Sequence, residues 1–117
     1  MGEYLAVFRS HANTFDTLSN GEIKGFNRKW EQFWAEGRRD GWLLDASGAL
    51  QTDGRVIHAH GHITNGPLVD RDDVARGYLK IKAESLDAAV EHVRGCPVLL
   101  HDGRVEVRPF FVGHPGK

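Results

Sequence analysis

Apolar and polar positions alternate between two periods along this chain, and the changes of period divide it into elements. Residues 4–9 form a short apolar run with no helical stripe, which predicts a buried strand. Residues 10–21 are rich in Ser, Thr, Asn and Gly and predict a loop. Ser19 and Glu22 have the spacing of a capping box, in which side chains satisfy free amides at a helix start. Ile23, Phe26, Trp30 and Phe33 then recur on one helical face. Their helix is expected to end between Gly37 and Gly41, and Trp30, Phe33 and Trp34 read as core. Segments 42–51 and 55–63 flank Asp53-Gly54, a hairpin signal because tight turns need positive φ. Residues 64–76 predict a polar loop. Residues 77–83 alternate, with Leu79, Ile81 and Ala83 on one side and Tyr78, Lys80 and Lys82 on the other. Ser85 caps a second helix with Leu86, Ala89, Val90 and Val93 as its stripe. Gly95 and Pro97 end it, and residues 104–110 alternate again.

The order is strand, helix, hairpin, strand, helix, strand. This is the βαββαβ pattern of an α+β, ferredoxin-like fold, with two helices on one face of an antiparallel sheet. The other face carries Lys80, Lys82, Glu106 and Arg108, with Tyr4 or Phe8 expected beside them. A half-covered sheet in a short chain suggests a homodimer. Residues 1–110 are expected to form the single domain and 111–117 a short tail.

Composition narrows the partners. The chain has 117 residues, 15 Lys+Arg against 16 Asp+Glu, and a formal charge of −1. That balance argues against nucleic acid and anionic membranes. Cys96 is the one cysteine, which excludes an intrachain disulfide and a Cys-rich zinc site. Its place at a helix C-terminus is expected to raise its pKa. No apolar run reaches the roughly 18–20 residues of a membrane span, and the first residues lack a signal-peptide pattern. A cytoplasmic protein is expected. Nucleoside-triphosphate, dinucleotide and acyl-hydrolase motifs are missing.

Seven histidines are the unusual feature, three of them within five residues. If Asp53-Gly54 is the turn, His58 faces Ala49, His60 faces Ser47 and His62 faces Asp45. Alternation then puts Asp45, Ser47, His58, His60 and His62 on one face. Asp45 opposite His62 would orient an imidazole for proton transfer. His60, His62 and Asp45 are therefore the candidate catalytic residues, with Ser47 and His58 beside the substrate. His58 with His60, or His60 with His62, could instead share a metal, with Asp45 or His11 as a further ligand. All three could not, because His58 and His62 would lie about 13 Å apart along a strand. No metal or cofactor is assigned. His11, after the first strand, is a candidate pocket residue because strand-end loops carry function. His92 reads as solvated on helix two, His101 as a turn neighbour and His114 as part of the tail.

Several segments in order carry a family resemblance: Thr64-Asn65-Gly66-Pro67-Leu68, Gly77-Tyr78-Leu79-Lys80-Ile81, Ser85-Leu86-Asp87-Ala88-Ala89, Cys96-Pro97 and Val105-Glu106-Val107-Arg108-Pro109. Together they resemble the YCII-related (DGPF-domain) family across about residues 40–110. The resemblance implies a ferredoxin-like protein forming a dimeric α/β barrel. Some relatives are lyase-like, with a proposed His–Asp pair whose His lies on helix one. Residues 22–40 here contain no His, so that pair is not reproduced. Asn65 stands where the family has an acid and Leu68 where it has Phe, which leaves Asn65 as a substrate-binding candidate. The expectation is a small enzyme of lyase or isomerase type acting on an aromatic or carbonyl-bearing molecule. The alternatives are a dimeric ligand-binding protein without catalysis and a His-ligated metal binder.

Overall fold

A computed structural model describes residues 1–14, 16 and 18–111. Six strands and two helices follow in order: β1 (Gly2–His11), α1 (Asn20–Arg39), β2 (Leu43–Ala46), β3 (Arg55–Ile57), β4 (Ile63–Asn65), β5 (Asp73–Ala83), α2 (Leu86–Val93) and β6 (Arg104–Pro109). The main sheet has the order β2-β5-β1-β6, and every pairing in it is antiparallel. This is an α+β chain with a four-stranded antiparallel sheet and two helices, an order compatible with a ferredoxin-like fold. No helix among the described residues is long and apolar enough to cross a membrane.

Period-two alternation sets which face each strand buries. On β1, Tyr4, Ala6, Phe8 and Ser10 are buried; on β5, Gly77, Leu79, Ile81 and Ala83 are. Tyr4 and Phe8 thus belong to the helix-covered core, not to the open face expected for them. The open face carries Leu5 and Val7 on β1, opposite Lys80 and Tyr78 of β5 and Arg108 and Glu106 of β6.

Both helices start where their caps place them. Ser19 Oγ accepts from the Glu22 amide, and the Glu22 carboxylate accepts from the Ser19 amide. Ser85 Oγ accepts from the Ala88 amide. On α2, Ala89 and Val93 are buried, whereas Leu86 and Val90 keep 46% and 37% of their surface exposed. His92 is not simply solvated: its ring stacks on Trp42 at 4.9 Å and 8°. The His101 ring meets Phe26 edge-on. His114 lies outside the described residues.

The 42–63 hairpin does not form. β2 pairs with β5, and β3 pairs with β4 in a separate two-stranded sheet. Neither Asp53 nor Gly54 has positive φ; the left-handed residues are His60 (φ 73°) and Gly61 (φ 90°). The chain therefore reverses at 58–62, while the Gly54 carbonyl accepts from the Gly66 amide and lengthens the β3–β4 ladder. The physical reason is burial. Leu43 is buried opposite Ile81, a gain that a local turn preference cannot match. The expected loop 64–76 shortens accordingly, because β4 takes its beginning and β5 starts at Asp73.

Candidate functional site

A cavity of about 410 Å³ lies between α1 and the covered face of the sheet. That is within the roughly 300–1,000 Å³ of small-molecule sites. Its α1 wall is built by Ile23, Phe26, Trp30 and Trp34, with Asn27 and Glu31 supplying polar groups. Spacings of three and four residues put these side chains on one helical face. Phe8 and Ser10 of β1 and Arg76 and Gly77 of β5 form the floor, and residues 47–50 close one side. Trp30 and Trp34 were expected in the core. Of α1 only Phe26 and Gly37 are fully buried, but Trp30, Phe33 and Trp34 are partly buried and pack against the core, with Trp30 and Trp34 also facing the cavity.

Trp30 is the centre of the aromatic wall. Its ring lies 4.9 Å from Phe8, 5.6 Å from Trp34 and 6.3 Å from Phe26, all tilted or edge-on, the arrangements aromatic pairs favour. Trp34 carries the other notable group. Its indole Nε1 is buried and has no hydrogen-bond partner, a state that costs about 1–3 kcal/mol.

Two backbone features shape the polar side. Between Phe8 and Arg9 the β1–β5 register shifts, Phe8 facing Gly77 and Arg9 facing Ala75, so Arg76 is the extra residue of a bulge. A bulge re-aims side chains. Without it, Arg76 would share the open face with Tyr78 and Lys80; with it, Arg76 lines the cavity. Its Nε donates to Ser10 Oγ at 2.8 Å, and its Nη2 donates to the carbonyls of His11 and Ala12. Burial pulls the Arg76 guanidinium below its ordinary pKa, against the opposing pull of Asp16. The second feature is Gly77. A Cβ there would stand 2.7 Å from Ser47 Oγ, so only glycine lets the segment after β2 lie this close. Ser47 Oγ accepts from the Tyr78 amide at 2.8 Å, and the Leu50 amide donates to the Arg76 carbonyl.

The residues expected to act together are dispersed. Asp45 faces Lys80 in the sheet and accepts from Tyr78 Oη at 3.1 Å, not from His62. That bond to Asp45, reinforced by its charge, raises the Tyr78 pKa. His58, His60 and His62 are exposed at the β3–β4 turn. The expected triad of His60, His62 and Asp45 is therefore not assembled, because Asp45 belongs to the main sheet and the histidines to the separate hairpin. The expected 13 Å between His58 and His62 is also overturned: the turn folds their rings to 5.5 Å between centres. Asn65 pairs with Arg55 on the hairpin and is exposed. His11 ends β1, and its carbonyl serves Arg76. Of the candidates, Ser47 lies on the cavity wall.

No histidine or cysteine is among the described residues that line the cavity. Among the described residues, no group of three or more His, Cys, Asp and Glu side chains is placed to hold a metal. The arrangement is suited to holding a molecule: a mostly apolar, aromatic chamber with a few fixed donors. Comparison with protein-family models finds no match to this chain, and comparison with curated proteins finds none either.

Proposed function

We propose that this chain binds a small planar organic molecule in the cavity beneath α1, without a catalytic role for the hairpin histidines. The observation that carries the reading is the chamber itself: an aromatic wall around Trp30, with Asn27, Ser47 and Arg76 supplying polar groups in its lining. An aromatic or conjugated carbonyl compound suits this lining, its ring against Trp30 and its oxygen toward the polar lining residues Asn27 and Arg76. Arg76 adds positive charge at the floor and Glu31 negative charge on α1, which favours a ligand polarised along its length.

The resemblance to the YCII-related family supports the same architecture and adds a homodimer of the α/β-barrel type, for which the open sheet face is the contact we propose. The binding reading is preferred to the lyase reading because Asp45 is bonded to Tyr78 and the imidazoles stand outside the cavity.

Tryptophan fluorescence tests it. Titration with 2-naphthoate, and with 2-naphthaldehyde as the neutral carbonyl probe, should quench emission saturably with one site per chain. Ala49→Trp, which fills the cavity from its exposed wall, should abolish saturable binding while leaving the melting temperature within a few degrees. Absence of saturable binding to both probes, or equal binding by the filled variant, would overturn the reading.

A further inference from the structure

The β3–β4 hairpin stands apart from the cavity, and its turn is a five-residue segment, His58-Ala59-His60-Gly61-His62. The His58 amide donates to the His62 carbonyl at 2.7 Å, which closes the turn and brings the two flanking side chains together. Their rings lie 5.5 Å apart between centres with 35° between planes. A metal bound to an imidazole nitrogen at about 2.0–2.1 Å lies about 3.2 Å from the ring centre. Two imidazoles on one tetrahedral ion therefore have ring centres about 5.2 Å apart. The observed separation of the ring centres is close to that value.

A second observation concerns the tautomer. His58 Nε2 lies 3.0 Å from Thr64 Oγ1, across the hairpin on β4. Ligating histidines usually engage their other ring nitrogen in such a bond, which orients the ring and sets which nitrogen holds the proton. In the tautomer that donates Nε2–H to Thr64 Oγ1, Nδ1 of His58 is the nitrogen left for a metal.

We infer that His58 and His62 form a two-imidazole site for a borderline divalent transition metal such as Zn²⁺, Ni²⁺ or Cu²⁺. Imidazole suits these ions, whereas Mg²⁺ and Ca²⁺ prefer oxygen. The site leaves coordination positions open, and it supplies the hairpin with a clip. That hairpin has a three-residue ladder and, among the described residues, pairs with no other strand, and isolated two-stranded hairpins are marginal in water.

The experiment uses the full, tag-free chain. Calorimetric titration with NiCl₂ and ZnCl₂ at neutral pH should show one saturable equivalent per chain. His58→Ala and His62→Ala should each weaken uptake at least tenfold, Thr64→Val should weaken it about tenfold, and His11→Ala should leave it unchanged. Hydrogen exchange separates this site from binding elsewhere: metal should slow exchange of amides 55–65 in the wild type and not in His58→Ala. Unchanged uptake in both histidine variants, no saturable uptake at all, or uptake without protection of the hairpin would each overturn the proposal. These readouts do not depend on what occupies the cavity.

Discussion

Cys96 has 2% of its surface exposed and belongs to the core cluster with Val93 and Val98. Burial pushes its thiol up to about 12, against a smaller lowering by a hydrogen bond involving the Val98 backbone. The raised pKa was expected from the helix C-terminus, whereas the larger cause is desolvation. A raised acid binds its proton more tightly in the folded chain. Its contribution to stability is therefore complete below the ordinary thiol value and declines as pH rises from about 8.5 toward 12. Native protein at pH 8 should react with a disulfide reagent at least a hundredfold more slowly than urea-unfolded protein, followed by thionitrobenzoate absorbance. Cys96→Ala should flatten the fall of stability above pH 9. Arg76 was illegible for a different reason. Alternation through 77–83 gave the correct faces, but a single inserted residue reverses the parity before Gly77. Nothing local marks that insertion, because it answers to the position of β1.

Capping chemistry acts on α1 as an element, since its first turn leaves amides without intrahelical partners. Ser19→Ala should cost about 1 kcal/mol in urea unfolding, with α1 fraying first. The Glu22 carboxylate is held below its ordinary pKa by the Ser19 amide and then by the Ser19 hydroxyl. A lowered acid stabilises above its ordinary value and loses that contribution as pH falls through the folded value. The stability gap between wild type and Glu22→Gln should therefore close in acid, measured as a urea-midpoint difference across pH 7 to 3. This cap was legible because its partners lie three residues apart. So were the strands at 4–9, 77–83 and 104–110, which the structure gives as Gly2–His11, Asp73–Ala83 and Arg104–Pro109. The hairpin was not. Asp53-Gly54 is a stronger turn signal on paper than His60-Gly61, yet turn preference is worth little beside burying Leu43 on β5. The choice of β2's partner was made across some forty residues of sequence, and with it went the register that assembled Asp45 and the histidines. The cavity shared that fate: Ile23, Phe26 and Trp30 of its wall belong to the predicted stripe, but Trp34 does not, and the enclosure depends on residues 47–50 and 76, whose placement is set by distant segments.

At the scale of the molecule, the extents are 44 × 39 × 20 Å with a radius of gyration of 15.6 Å. A compact chain of this length has a radius of about 13.4 Å. The excess reflects a thin slab, one sheet under one helical layer, with the hairpin carried as a separate sheet. Among the described residues, such a slab leaves Tyr78 and Lys82 exposed on its second sheet face. That face is neither uniformly polar nor uniformly charged. Leu5 and Val7 lie half-buried at its centre on β1, and Tyr78 beside Val7 is 38% exposed. Around them sit opposite charges, including the Glu3–Lys80 ion pair at 3.2 Å and the acid Asp45 on Tyr78. An apolar centre with a rim of both signs can meet a copy of itself across a two-fold axis, each positive group finding a negative one. The proposed homodimer therefore makes a definite prediction. Sedimentation equilibrium of the wild type should return the mass of two chains. Val7→Asp, which places a carboxylate at the centre of the joined faces, should return the mass of one while keeping the wild-type circular dichroism. Its cavity should still bind 2-naphthoate, because Val7 and the cavity lie on opposite faces of β1. A single-chain mass for the wild type, or a Val7→Asp variant that still pairs, would assign this face to water instead.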